Sequence, residues 1–364
     1  MILKDISILN YKNIVEANLS FSPKINCFVG HNGEGKTNLL DAVYYLSFCR
    51  SSSNSTDSQI ICHDADFMML QGNYETENEG TEKIYCGLKR HHKKVFKHNN
   101  KEYSKLSEHI GKIRLVMVSP NDTELIEGVS EQRRHFMDMV ISQYDSEYLY
   151  QIIRYRKALQ QRNVLLRAEN DPDEDFISLY EKEMAVAGEF VYERRKAFLE
   201  EFIPIFQRIY GLLAGESEEV NLEYRSVCQN GPLEEQIRAS RSKDHIMGFS
   251  LCGVHRDDLE MSLHGFPIKR EGSQGQNKSF VISLKLSQFD FLKNKGDKCV
   301  PILLLDDIFD KLDTRRVEQI VKMVSEDDFG QIFITDTSRN FLNSVLQQTG
   351  KDFRFFTVDG GRFK

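Results

Sequence analysis

Two short stretches carry residue types suited to phosphate chemistry. Gly30-His31-Asn32-Gly33-Glu34-Gly35-Lys36-Thr37 fits the pattern G-x-x-x-x-G-K-[ST]. Its glycines let the backbone approach phosphate oxygens, and the N–H groups at the start of the following helix point at them. Lys36 would reach the β- and γ-phosphates, and Thr37 would hold Mg²⁺ through its hydroxyl. His31, Asn32 and Glu34 complete the loop, and Asn38 follows it. The second stretch is Pro301-Ile302-Leu303-Leu304-Leu305-Asp306-Asp307, an apolar strand ending in two carboxylates. Asp306 would hold Mg²⁺, directly or through water, and Asp307 would orient and deprotonate an attacking water. An apolar run ending in two acids is weak evidence alone. Paired with an upstream phosphate loop it is strong, and it points to a nucleotide as the ligand.

These residues need a scaffold, and the hydrophobic pattern supplies one. Ile25-Asn26-Cys27-Phe28-Val29 reads as a buried strand, and residues 38–48 as a helix, with Leu39, Leu40, Val43, Tyr44 and Leu46 at helical spacing. Ile2, Ile6, Ile8, Val15 and Leu19 lie in two β-like runs split by Asn10-Tyr11-Lys12-Asn13, a hairpin. Residues 50–57 form a polar loop whose serines either meet phosphates or simply turn the chain. Residues 67–118 are β-rich, with strands expected at 67–74, 83–90, 93–97 and 113–118 and a turn at Asn99-Asn100. From Asn121 to about Ala214 the period becomes helical. A helix starts near Ser130, and two long amphipathic helices, 149–168 and 176–213, are broken by Asp171-Pro172-Asp173 into an antiparallel arm. Residues 215–220 end the helices, and 220–227 alternate as a strand. Sheet chemistry resumes at Phe249, the stretch 270–279 opens an amphipathic helix running to about Leu292, and Ile332-Phe333-Ile334-Thr335-Asp336-Thr337 is another strand with a polar end. The expected fold is α/β, a mixed sheet around the phosphate loop with an inserted α-helical arm. Its parts are residues 1–120, a β-rich N-terminal part of the head; 121–240, the arm; and 241–364, the C-terminal part of the head.

With 364 residues, 28% charged and 40% hydrophobic, the chain has a soluble balance, and its apolar runs fall short of a membrane span. The first residues alternate like a strand rather than a targeting segment. Seven cysteines without C-x-x-C spacing suit a reducing cytosol, not a disulfide framework or a zinc site. The net charge of −7 means that nucleic acid would be met through local basic patches or a partner. Lys89-Arg90-His91-His92-Lys93-Lys94-Val95-Phe96-Lys97-His98 is such a patch. It is either a phosphate-backbone surface or a solvated hairpin whose positive residues guard its edge. Arg133 and Arg134 are the second candidate for phosphate contacts.

Ser273-Gln274-Gly275-Gln276, at a helix start, resembles the signature motif of ABC-type ATPases. There it closes over the γ-phosphate bound to a second subunit. By that resemblance Ser273, Gly275 and Gln276 would serve a partner's nucleotide. Phe309-Asp310-Lys311-Leu312-Asp313 sits where that superfamily has its D-loop, and Thr335-Asp336-Thr337 at the switch, where transporters carry a histidine. The arm between the two halves of the head resembles the SMC-like branch, and within it the RecF family. That resemblance covers nearly the whole chain. Its motifs include the opening residues 1–13, the loop at 30–38, Ser119-Pro120-Asn121-Asp122, Gln132-Arg133-Arg134-His135-Phe136-Met137-Asp138, Gly253-Val254-His255-Arg256-Asp257-Asp258-Leu259, residues 272–278 and Leu304-Leu305-Asp306-Asp307 with Leu312-Asp313. It implies a bacterial cytosolic ATPase using ATP and Mg²⁺, forming an ATP-dependent homodimer without a membrane partner. It would bind double-stranded DNA, favouring duplex beside a single-stranded gap, and with RecO and RecR help to load RecA. Asp307 stands where transporters have Glu, and the shorter side chain predicts slow hydrolysis. The alternative within the same architecture is a nucleotide-switched scaffold without a gap-repair role.

Overall fold

Alternation, interrupted by a register shift between Leu3 and Asp5, builds the first hairpin. In β1 (Ile2–Tyr11) the residues Leu3, Ile6, Ile8 and Tyr11 are buried, and β2 (Ile14–Ser20) pairs with it antiparallel. Lys12, at φ 51, turns the chain between them. β3 (Ile25–Val29) is buried throughout and leads into α1 (Lys36–Phe48), which begins two residues before the apolar periodicity does. β4 (Phe67–Glu75), β5 (Thr81–Lys89), β6 (Val95–His98) and β7 (Lys101–Glu102) extend the hairpin into an antiparallel sheet of order β2-β1-β4-β5-β6-β7. Asn99 and Asn100, both at positive φ, make the turn read from the sequence. β8 (Leu115–Val118) is a short buried strand.

The second stretch of chain is mostly helical: α2 (Glu124–Glu127), α3 (Ser130–Ile141), α4 (Ser146–Leu166), α5 (Glu174–Ala214) and α6 (Leu233–Met247). β9 (Val220–Arg225), β10 (Asp258–Leu263) and β11 (Phe266–Pro267) form a small antiparallel sheet. Then come α7 (Ile268–Glu271) and α8 (Gln274–Lys293). The chain closes with β12 (Ile302–Asp306), α9 (Thr314–Val324), β13 (Ile332–Asp336), α10 (Arg339–Gln347), β14 (Phe353–Asp359) and β15 (Arg362–Phe363). The computed structural model describes all residues except 54–55, 77–79, 169–173, 216–217, 296–298, 309–313, 325–328, 348–349 and 351. The expected break at Asp171-Pro172-Asp173 and the D-loop position 309–313 lie outside the described residues, as do parts of the serine loop and of the 215–220 helix end.

The chain divides into two units, Met1–Asp122 with Gln288–Lys364, and Thr123–Ser287. Residues 241–287, read from the sequence with the ATPase head, lie in the helical unit.

In the first unit a second sheet has the order β15-β14-β3-β13-β12-β8, parallel except for β15. Phe28 stacks on Phe356 at 4.9 Å, and Phe21 meets Phe333 edge-on at 4.9 Å. Gln331 joins the two sheets. It accepts the Leu3 N–H at 2.8 Å and donates to the carbonyls of Leu3 and Ser22 at 2.8 and 2.9 Å, so this buried amide is satisfied.

In the helical unit α4 and α5 run antiparallel, as the pairs Tyr148–Arg195 and Arg162–Glu181 require. Arg195 is buried with Asp138 and Asp257, and Arg162 with Glu181 and Asp244. Two sequence motifs meet here. Arg133 grips Asp258 with two nitrogens, at 2.6 and 3.0 Å, while Arg134 donates to the Asp257 carbonyl at 2.7 Å.

Each unit holds a histidine that burial keeps neutral. His109 Nε2 donates to the Leu46 carbonyl at 2.7 Å and Nδ1 meets the Tyr103 hydroxyl; His255 Nε2 donates to the Ser250 carbonyl at 3.0 Å and Nδ1 meets the Tyr155 hydroxyl. Burial pushes both imidazoles down to about 4. The unfolded chain takes up these protons near pH 6.5, the folded chain only near pH 4. Folding stability is therefore full above pH 6.5 and is lost as pH falls from there to 4, by roughly 2–3 kcal/mol per histidine. Melting temperatures between pH 7 and 5 should fall, and less steeply for His109→Gln with His255→Gln. Equal slopes would contradict this account.

Candidate nucleotide site

The parallel sheet places β3 between β14 and β13, with β12 beyond β13, so the carboxyl ends of three strands converge where ligands bind in open α/β sheets. The phosphate loop leaves the end of β3 close against β14. A Cβ on Gly30 would lie 2.3 Å from the Val358 carbonyl oxygen, so only glycine passes there. Gly33 and Gly35 adopt φ 85 and 109, open to glycine and strained for other residues. α1 starts at once, and its N–H groups face the loop.

Lys36 folds across the loop, donating to the carbonyls of Gly30 at 2.6 Å and His31 at 2.8 Å. The loop is braced from two sides. Asn13 of the first turn donates to the Gly33 carbonyl at 3.5 Å and accepts from Asn38 at 2.7 Å. From the β14–β15 turn, Gly361 N–H donates to the Glu34 carbonyl at 2.8 Å and Gly360 N–H to the Glu34 carboxylate. In the sequence Asn13 reads only as part of a break, and the second brace leaves no local pattern because its contacts span more than 300 residues.

The two chemical stretches meet. Thr37 Oγ1 donates to Asp306 Oδ1 at 2.9 Å, and Thr335 Oγ1 donates to the same oxygen at 2.7 Å. Burial pushes the Asp306 carboxyl up, against the two hydroxyls that lower it. Asp307 is half-buried at φ 47, a left-handed backbone costing on the order of 1–3 kcal/mol, and its N–H donates to Thr335 Oγ1 at 2.9 Å. Asp336, at the end of β13, is also raised by burial and accepts the Ser338 N–H at 2.6 Å. A hydroxyl and a carboxylate side by side are the hard oxygen pair that Mg²⁺ takes from a protein when phosphates and water complete its shell, so the donor set fits that ion.

The polar loop after α1 is turned inward. Ser51 Oγ donates to Asp41 at 2.7 Å, Ser52 donates its N–H and hydroxyl at 2.6 Å each, and Lys12 reaches the same buried carboxylate at 2.6 Å.

In the helical unit, Ser273 and Gln276 form a reciprocal cap on α8. Ser273 N–H donates to Gln276 Oε1 at 2.9 Å and Gln276 N–H to Ser273 Oγ at 3.3 Å. Ser273 is exposed, Gly275 is half-buried, and Gln276 also donates to Glu218 at 2.9 Å.

The basic residues separate by their partners. Arg90 donates to the carbonyls of Ser58, Cys62 and Ala65, and Lys94 to Cys49 carbonyl, the Tyr45 hydroxyl and Asp57, so both hold loops of their own unit. Arg133 and Arg134 are engaged as described above. Lys89 and Lys93 are exposed, and the Lys97 ammonium lies 5.8 Å over the Tyr85 ring. Among the described residues no helix is long and apolar enough to cross a membrane.

Residues 2–355 match the model of the RecF/RecN/SMC N terminal domain. A DNA replication and repair protein RecF of Phocaeicola vulgatus is 59% identical over 361 residues, covering 99% of this chain and 97% of that one. That of Bacteroides thetaiotaomicron is also 59% identical, with 98% of its length covered. The structure of the recombination mediator protein RecF-ATPrS in the RecFOR pathway superposes with a TM-score of 0.89 at 28% identity, over 100% of this chain and 97% of that one. An Smc head domain of Pyrococcus furiosus, 16% identical with a TM-score of 0.59 over 95% of its chain, shares the fold.

Proposed function

The chain belongs to the RecF family of SMC-like, ABC-type ATPases, and on that premise we propose that it is an ATP-dependent DNA-binding protein of recombinational repair and replication-gap processing. The observation that carries the reading is the 2.9 Å contact between Thr37 and Asp306, which unites the phosphate loop with the acid-tipped strand. It is supported by a solved relative described as RecF-ATP, 27% identical with a TM-score of 0.88.

The loop from Gly30 to Asn38 receives the phosphates of ATP through its N–H groups. Lys36 leaves the carbonyls of Gly30 and His31 for the β- and γ-phosphates, exchanging neutral acceptors for anionic ones. Thr37 and Asp306 would hold Mg²⁺, which supplies charge neutralisation at the phosphates. Asp307 orients a water and accepts its proton. Ser273, Gly275 and Gln276 close on the nucleotide of a second copy, so ATP drives a homodimer. The dimer binds duplex DNA, including duplex beside a gap. Lys89, Lys93 and Lys97 are the best placed of the candidate phosphate contacts. In the cytosol it works with RecR and RecO and, through them, RecA.

The solution mass tests this. The chain should become a dimer with ATP and Mg²⁺ and then retain gapped duplex DNA. Lys36→Met should lose nucleotide affinity roughly 100-fold or more, the worth of two charge-assisted hydrogen bonds, and with it dimerisation. Ser273→Arg should keep ATP binding and stay monomeric. A mass indifferent to ATP would overturn the dimer.

A further inference from the structure

We propose that Thr335 is a positioning residue for ATP turnover, a single hydroxyl that aligns both carboxylates of the site; the inference rests on the ATPase reading above.

The topology puts it there. β13 lies between the strand that carries the phosphate loop and the strand that ends in the two acids, with Thr335 paired to Phe28 on one side and Asp306 on the other. The side chain is fully buried at that crossing. A hydroxyl offers one proton and two lone pairs. The proton goes to Asp306 Oδ1 at 2.7 Å, and a lone pair accepts the Asp307 N–H at 2.9 Å. One atom thus fixes the rotation of the carboxylate assigned to Mg²⁺ and the backbone of the residue assigned to the attacking water. The second role is specific, because Asp307 stands at φ 47, where a non-glycine residue stays only if its surroundings hold it. Thr37 donates to the same Asp306 oxygen at 2.9 Å. When Thr37 serves the ion, Thr335 remains as a fixed donor on that carboxylate. At a position assigned by resemblance to the γ-phosphate switch, this residue works through the acids rather than by touching phosphate.

A purely space-filling role makes a different prediction. Valine matches threonine in shape but brings no hydroxyl, so it leaves the Asp307 N–H unpaired and takes one donor from Asp306. Thr335→Val and Thr335→Ser in the full chain separate the two readings. Two quantities are followed: Mg²⁺ titrated against a fluorescent ATP analogue at equilibrium, and kcat with its Mg²⁺ dependence. Thr335→Val should weaken Mg²⁺-dependent nucleotide binding or turnover roughly 10–100-fold, the range for residues that orient metal ligands. Nucleotide binding without Mg²⁺ should stay within about twofold, since the loop is untouched, and Thr335→Ser should restore both quantities to near the unaltered values. A Thr335→Val chain that only melts earlier, with unchanged Mg²⁺ dependence and kcat, overturns the proposal, as does a folded Thr335→Ser chain that fails to rescue. If valine prevents folding, Thr335→Ala against Thr335→Ser gives the same comparison. Absence of Mg²⁺-dependent ATP turnover in the unaltered chain would instead overturn the ATPase reading, while the binding titration still reads Thr335 by itself.

Discussion

Arg195→Met should lower the unfolding free energy of the helical unit by about 3–5 kcal/mol, the usual cost of removing one partner from a buried ion network. Arg195 is 1% exposed and makes five hydrogen bonds to four groups: Asp138, the Tyr148 hydroxyl, the Val254 carbonyl and Asp257, with Asp138 reached by two nitrogens. Burial alone would raise the Asp138 carboxyl. Arg195 first, then Arg156 and Tyr148, hold it below its ordinary range. Without the guanidinium, two buried carboxylates lose their shared cation. Arg195→Lys should recover little, because an ammonium cannot reproduce the planar fork. The control is Arg225→Ala, whose pairs with Glu223 and Glu260 are more than half exposed on each side. It should cost about 0–1 kcal/mol. Urea unfolding followed by far-ultraviolet circular dichroism checks both. A loss below 1 kcal/mol for Arg195→Met would mean that the network carries little of the unit's stability.

The second large effect is on chemistry. Asp307→Asn should slow ATP turnover by roughly 10²–10⁴-fold, the scale of a lost general base, while ATP still binds. The substitution is clean because asparagine tolerates the left-handed backbone as well as aspartate does. The N–H to Thr335 survives, and only the proton acceptor is lost. The proposed ATP-bound dimer should then persist instead of decaying with hydrolysis. Single-turnover phosphate release and the time course of solution mass read the two consequences separately. Hydrolysis at the unaltered rate would remove Asp307 from the base role. Retained biological activity in this variant would favour the switched-scaffold alternative, in which binding matters more than turnover.

Much of this site was legible in the sequence because its chemistry is written in contiguous residues. The phosphate loop needs its glycines, lysine and threonine in fixed order, and the apolar run before Asp306 could only be a buried strand. The long helices declared themselves by period, within a few residues of α4 and α5. α6 did not, since only Leu233, Ile237 and Asp244 along it are buried, too thin a stripe to set a period. β14 was missed for another reason. Nothing in Phe353–Asp359 says that it lies beside β3, although that neighbour makes Gly30 obligatory. The charge of Arg90 and Lys94 reads as surface in one dimension. In three, carbonyls and Asp57 absorb it. Residue type told what a side chain can do, and only the fold told which way it faces.

Both neighbours of β3 in its sheet, β13 and β14, come from more than 300 residues later in the chain. This has a consequence for how the protein is made. At roughly 5–20 residues per second, the strand that carries the phosphate loop emerges on the order of 15–60 s before the strands that flank it. Throughout that interval Ile25–Val29 has no partner on either edge, and the turn that grips Glu34 does not yet exist. A chain arrested during translation before Phe353 should therefore be blind to nucleotide, although it already contains every residue of the phosphate loop. Competence comes late and in one step, with the last two strands.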